Sequence, residues 1–468
     1  MRNQVLVVWV LAAPAWVLGQ TPSAKADLPS TPVPQAIASF QEAWRPGLDQ
    51  VPQNGAPSAP ATEAPKLSLK EAEELALRQN PQISVAHLLA LASRQVTREV
   101  RSNLWPTANA DIAGVDAQEN SRITAGGLNN PIIYERAAGG VSVSQLITDF
   151  GRTTNLVASA AFSQRAEEQN ALATKEQILL EVNQTFFSAL QTHAVLRVAE
   201  ETVNARQLVA DQVGALTKNK LKSELDLSFA NVSLAQAKLL LLDAQNNDKA
   251  ALASLSAVLG YPALQDLTLM EDTEAINTPP ANIDALITEA LAKRPELLAL
   301  DYQYQAAQKL KTAERDLLLP SIRALGAVGG APVRNDHLPS WYGAVGANMD
   351  IPIFNGFLYT ARSHEADLRS QAARDRVLDL RNRISRDVRT SWLNANAAYD
   401  RLAVTQQFLQ QAQLALDLAQ ARYKLGLGSI VELSQAQLQA TQAEISNAQA
   451  GYDYRLASSV LRYETSGL

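Results

Sequence analysis

Residues 78–85 read RQNPQISV and residues 292–299 read AKRPELLA. In both places a proline interrupts a chain that has helical periodicity before and after it, and the run that follows is apolar and helix-forming. Pro81 and Pro295 are 214 positions apart, and so are Pro106 and Pro320. A proline at a first helical position costs nothing, because its missing N–H would be unpaired there anyway, and it restarts the chain in a new direction. Two interruptions recurring at one spacing predict a tandem repeat, with a helix–helix junction at Asn80-Pro81 and again at Arg294-Pro295.

The register carries further along both copies. SQLITDFGRT (144–153) aligns with MDIPIFNGFL (349–358), and Gly151 and Gly356 are 205 positions apart. The stretch from the second proline to that glycine is therefore 45 positions in the first copy and 36 in the second. A length difference confined to one place marks a loop tip. Ser68 and Glu71 form a capping box that opens a short helix ended by Asn80-Pro81, and a helix of about 20 residues, at the length of an ordinary globular helix, runs from there towards Trp105. Its counterpart runs towards Leu319.

After Pro106 and Pro320 the pattern becomes short alternating runs: NADIAGV and AAGGVSVSQL, then SIRALGAVG and WYGAVGANMDI. Each copy thus offers two strands, joined by the polar loops ENSRITAGGLNNP and GGAPVRNDHLPS. Their small, weakly apolar side chains suit a barrel wall better than a soluble core.

No proline occurs from Gly151 to about Lys218 or from Gly356 to about Leu425, and at ~1.5 Å per residue each segment could form a helix of roughly 100 Å. A short turn and a helix of half that length follow in each copy. Ile178, Val182, Thr185, Ala189, Thr192, Leu196, Ala199, Val203, Arg206, Ala210 and Val213 step by alternating four and three residues. Val388, Ala395, Leu402, Leu409, Leu416 and Tyr423 repeat at seven, with Ser391, Ala398, Thr405, Ala412 and Ala419 at the companion positions. A seven-residue repeat kept this long predicts supercoiled helix pairs, and its many alanines permit close packing around a wide cylinder.

The 468 residues carry a formal net charge of −6 and no cysteine. Disulfides, thiolate metal sites and a cysteine nucleophile are thereby excluded, and nothing in the charge balance points to a nucleic-acid partner. Arg2 followed by VLVVWVLAAPAWVL and small residues near Gly19 reads as a signal peptide over 1–19. The Pro/Ala/Ser/Thr-rich residues 20–66 read as a flexible leader. A first repeat over 67–262, an inter-repeat linker over 263–282 and a second repeat over 283–468 complete the expected organisation. Beyond the signal no long uncharged apolar stretch stands out, so membrane insertion is expected to use strands.

Strand pair, long helix, turn and half-length helix, twice over, together with the proline junctions and the DFGR and PIFNG turns, resemble the TolC-like outer-membrane efflux protein family over residues 67–465. The resemblance implies a mainly α fold with a β-barrel portion: long coiled-coil helices forming a periplasmic α-barrel, and four strands per protomer closing a twelve-stranded outer-membrane barrel in a homotrimer. It implies a channel for efflux or type I secretion, working with a periplasmic adaptor and an inner-membrane pump in contact with outer-membrane lipid, without catalytic site or cofactor. Many members of the family carry a lipid-modified cysteine at the cleavage site, where this chain has Gln20. Matching YKLGLGSIVELSQA (423–436) to the family's periplasmic tip places Tyr423 and Glu432 on its aperture tyrosine and first aperture acid. The second acid is replaced by Gln435, and the arginine between them by Gly428. In the other tip, KSELDLSFAN puts Asp226 on the acidic partner of the tyrosine, so a Tyr423–Asp226 latch is implied while the arginine link is missing. The plainer alternative for Asp226 and Glu432 is that they favour helix starts, where acids are stabilised.

Other side chains read as structural. His87, His193, His337 and His364 lack metal-ligand spacing. The arginines of 362–389 interleave with Asp367, Asp375, Asp379 and Asp387, as on a solvated helix face. Trp341, Tyr342 and Tyr134, beside strand ends, are candidates for an interfacial aromatic belt. The loops 119–131 and 330–340 are expected to be extracellular. A structural coiled-coil protein would explain the heptads but neither the export signal nor the duplicated strand pairs, and an exported binding module would need a pocket that no polar cluster defines.

Overall fold

The computed structural model describes residues 66–116, 122–125, 128–132, 136–265, 267–271, 276–333 and 339–465. The signal peptide, nearly all of the leader and Tyr134 lie outside them. Each half opens with a pair of short helices. In the first half these are α1 (Leu69–Gln79) and α2 (Pro81–Ser102), and in the second α5 (Ile283–Lys293) and α6 (Pro295–Arg315).

Ser68 and Glu71 form the capping box expected of them. Asn80 ends α1 and caps α2 at once, its side chain accepting from Gln82 N at 2.8 Å and donating through Nδ2 to Val258 O at 2.9 Å. Arg294 occupies the same place in the second half and reaches Glu464 Oε2 with Nη1 at 2.5 Å. Val258 and Glu464 are the last residues of the two half-length helices, α4 (Glu224–Val258) and α8 (Ile430–Glu464). The proline junctions are therefore docking points, each tied to the end of its own half's shorter coiled helix. Gly260, with φ +91°, lies so close to α1 that a Cβ would stand 2.8 Å from Gln79 O, which only glycine permits.

The long helices are α3 (Arg152–Lys218) and α7 (Leu358–Lys424), 67 residues each, and α4 and α8 have 35 each. The heptad positions are buried or half-buried throughout both. Arg206 occupies one of them, 7% exposed, and donates from Nη2 to Thr441 Oγ1 on α8 at 3.2 Å. Burial pulls its pKa down to about 10, against the opposing charge of Glu444. The charges of 362–389 form the expected solvated face, with pairs such as Glu365–Arg369 at 2.6 Å. α4, though interrupted by Asp226, Lys238 and Asp243, is long and apolar enough to cross a membrane by length and composition, with Phe229, Val232, Leu239 and Leu242 exposed on it. Packing against α3 accounts for its buried side, Ala230, Leu234, Ala237 and Ala244, and leaves the other apolar side open.

Four strands form one antiparallel sheet in the order β2 (Thr107–Val115), β5 (Arg136–Thr148), β7 (Ser321–Val333), β8 (Trp341–Asp350). Each half supplies one hairpin-like pair, and β5 joins β7 across the repeat. The polar loop expected at 119–131 contains a second small hairpin, β3 (Arg122–Ala125) with β4 (Leu128–Ile132). Gly126-Gly127 separates these strands in the sequence, a dipeptide that favours tight hairpins. β1 (Lys66–Leu67) pairs in parallel with β6 (Thr268–Leu269) inside the expected linker, so Lys66 belongs to the folded body. Trp392 Nε1 donates to Pro280 O at 2.7 Å, and Tyr454 donates to Asn277 O, pinning the segment between repeats onto α7 and α8.

The core is divided along the helices. One cluster packs Phe186 and Phe187 of α3 with Ala72, Ala76, Leu67, Leu255 and Leu259. A second surrounds Val377, Ile384 and Val388 of α7 with Ala290 and Leu297. A third gathers Val213, Leu234, Tyr423, Ile430 and Leu433 at the far end, where α3, α4, α7 and α8 meet.

Candidate functional site

Both ends of the molecule carry chemistry that the fold positions. At the sheet end, paired residues share a face, because side chains alternate along each strand. One rung series runs Ala110, Val141, Val328, Gly343 and, two residues along, Ala108, Val143, Gly326, Val345. That face is apolar and open, with Ile112 92% and Val345 94% exposed. The opposite face carries Asp111, Asn109, Ser142, Ser144, Arg323 and Asn348. A sheet apolar on one face and polar on the other divides hydrocarbon from water. The outer strands β2 and β8 are exposed along their described length, and each has one unpaired edge. Trp341 and Tyr342 are neighbours in β8 and therefore point to opposite faces; of the two, only Trp341 lies on the apolar face of the aromatic belt expected for both.

At the other end, the turns between α3 and α4 and between α7 and α8 lie side by side. Serines cap both following helices: Ser223 Oγ accepts from Asp226 N and Ser429 Oγ from Glu432 N, each at 3.1 Å. The Asp226 carboxylate in turn accepts from Ser223 N at 3.2 Å and Ser223 Oγ at 2.9 Å, closing a capping box. Tyr423 is 7% exposed, packed in the third core cluster. Burial raises its pKa, and the charge of Asp226 raises it further. Its hydroxyl is buried without a hydrogen-bond partner. The structure thus brings Asp226 into the electrostatic reach of Tyr423 but engages the carboxylate with its own helix start instead of the phenol.

What does touch Tyr423 across the two turns is Lys222, whose Nζ lies 4.1 Å from the ring centroid. Glu432 is also engaged within its own turn: Arg422 Nε lies 3.1 Å from Glu432 Oε1, and Arg422 Nη2 donates to Leu427 O at 3.3 Å. Gly428 sits where a Cβ would stand 3.1 Å from Glu432 Oε2 and 3.2 Å from Arg422 Cβ, so a side chain there would crowd the Arg422–Glu432 pair. Gln435 lies apart from these contacts, on an open groove between α4 and α8 lined also by Arg206, Phe229 and Leu438. Lys222 and Arg422 were not singled out from the sequence. Their signals are the lysines of TKNKLKS and the cation adjoining Tyr423, neither distinguishable from ordinary surface charge.

A sheet with one apolar face, carried on paired 67-residue helices, has the architecture of a membrane channel protein that continues beyond the membrane on its helices. The outer membrane efflux protein family matches residues 73–261 and 286–463. The chain belongs to that family. It is the outer-membrane channel component of an efflux system. Outer membrane efflux protein BepC of Brucella suis is 26% identical over 335 residues, covering 69% of this chain and 70% of that protein. Outer membrane protein TolC of Vibrio cholerae is 26% identical over 402 residues, covering 82% and 87% respectively. The crystal structure of the Campylobacter jejuni CmeC outer membrane channel shares the fold, with a TM-score of 0.76 at 18% identity over 85% of each chain.

Proposed function

We propose that three copies of this chain close a twelve-stranded outer-membrane barrel and a helical duct, and that the duct receives cargo from a periplasmic adaptor and an inner-membrane pump. The observation that carries this reading is the four-stranded sheet with one apolar face and two open edges. Unpaired edge groups in hydrocarbon cost several kcal/mol each by the order of magnitude for unsatisfied polar groups, and joining β8 of one copy to β2 of the next removes every edge. The exposed apolar side of α4 suits the same arrangement, because it would be covered by a neighbouring copy or by an adaptor. With no cysteine in the chain, a thioether-linked lipid is not part of the proposal, and the barrel itself holds the protein in the membrane.

The second part of the proposal places the aperture at the turns, with Tyr423, Asp226, Glu432 and Gln435 as its gate residues and a channel rather than an enzyme as the product of the fold. Supporting it are the buried Tyr423 at the meeting of four helices and the acids at both helix starts. In this chain the ring of Tyr423 under Lys222 is a contact that joins the two turns beside the apolar cluster around it, and a partly desolvated cation–π contact is worth about 0.5–2 kcal/mol. Tyr423→Phe keeps that ring and removes only an unpartnered hydroxyl, so it should conduct like the parent in planar bilayers. Tyr423→Ala should raise resting conductance. Glu432→Gln should lower cation selectivity, since acids ringed around a narrow pore concentrate negative potential. Equal conductance of the parent and Tyr423→Ala would place the gate elsewhere. The trimer is tested separately by native mass measurement in detergent, where a stable folded monomer would remove the barrel.

A further inference from the structure

On the polar face of the sheet one rung reads Asp111, Gly140, Gly329, Tyr342 across all four strands. The two glycines are adjacent on that rung, and Tyr342 lies across both. A Cβ on Gly329 would overlap Tyr342 Cζ and Oη, and a Cβ on Gly140 would overlap Tyr342 Oη. The ring therefore leaves its own strand, crosses β7 and ends over β5, flat against the wall. A side chain on a barrel's inner face ordinarily stands perpendicular to the sheet, and three tyrosines standing so around one level would narrow the exit. Glycine at both places removes the atoms that would hold the ring upright.

We propose that Gly140 and Gly329 form a recess in the channel wall that stows Tyr342, and that this recess sets the free bore of the outer-membrane exit for bulky cargo. The inference rests on the trimeric barrel proposed above and on the polar face being the inner one. Gly140 and Gly329 act here as positioning residues that keep the Tyr342 ring out of the bore. The recess is built from backbone as well as from missing side chains: a Cβ at 140 would also stand 2.9 Å from Val328 O, and one at 329 would stand 2.7 Å from Gly139 O.

The test reads the exit separately from the periplasmic aperture. Polyethylene glycols of graded size, added on the extracellular side of a planar bilayer, enter the barrel and lower its conductance up to a cut-off size. Gly329→Ala should lower that cut-off, because the ring is forced into the lumen. Gly329→Ala combined with Tyr342→Ala should restore it, and Tyr342→Ala alone should leave it at the parental value, because a stowed ring takes little bore. A parental cut-off in Gly329→Ala overturns the proposal. So does a low cut-off persisting in the double variant, which would assign the loss to backbone damage. If Gly329→Ala fails to insert, Tyr342→Ala decides alone: a raised cut-off means the ring already stands in the lumen. Absence of any channel from the parent would instead remove the barrel reading itself.

Discussion

Arg294 shows how much one side chain can hold. Only 9% of its side chain is exposed, and it pairs with Glu464 Oε2 at 2.5 Å and Glu296 Oε1 at 3.2 Å while Tyr463 donates to the same Glu296 at 3.0 Å. Burial alone would raise Glu296, but the hydrogen bond and charge of Arg294 outweigh it and leave that carboxyl lowered. Glu464 is raised, because burial outweighs the same arginine. Arg294→Ala should cost about 3–5 kcal/mol, the magnitude for stranding buried charges, read as a fall in the thermal midpoint of helical circular dichroism. The raised Glu464 has a pH consequence. Its favourable contribution is complete below its unfolded pKa of ~4.3 and is lost as pH rises through the higher folded value. Glu464→Gln should therefore flatten the decline in stability on going from about pH 4 towards neutrality. A slope equal to the parent's would mean that another acid carries it, such as the half-buried Glu176 of α3, whose pKa burial also raises.

At the scale of elements, the helices end where their caps and partners allow. Asn80 serves two helices and also binds the end of α4, so Asn80→Ala should cost about 1–2 kcal/mol, combining a lost N-cap with a stranded carbonyl. Ser429→Ala, which removes a cap alone, should cost about 1 kcal/mol. Thermal melts of the two variants compare them directly, and equal losses would mean that the Val258 contact contributes nothing. Arg206 is the charged residue among the seam positions named above. Arg206→Leu should be neutral or stabilising in the same melts, since burying its charge is already costly enough to depress its pKa to about 10.

For the whole molecule, chain direction sets orientation. Each strand pair follows a helix at one end and returns to a helix at the same end, so the strand ends that flank the loops expected at 119–131 and 330–340, Val115 and Arg136 in one pair and Val333 and Trp341 in the other, lie at the far end from the helical turns. Protease added to intact cells should cut in those loops and spare the turns near Lys218 and Gly426. Cleavage at the turns in intact cells would reverse the orientation.

The repeat, the helix lengths and the heptad seams were legible because they are local: proline punctuation, capping residues and a seven-residue period act within a few turns of chain. The strands were legible as alternation, though the β3–β4 hairpin was hidden in a loop whose composition is polar. What the gate residues touch was not legible. Asp226 and Ser223 are three positions apart, and their capping box satisfies the carboxylate before any distant phenol can. Lys222 reaches Tyr423 across 201 positions of sequence, and Tyr342 meets Gly140 only because β7 lies between β5 and β8. Sequence determined the elements and their order through short-range physics. Tertiary structure alone decided which charges pair and where the rings lie, because those contacts depend on which helices and strands become neighbours.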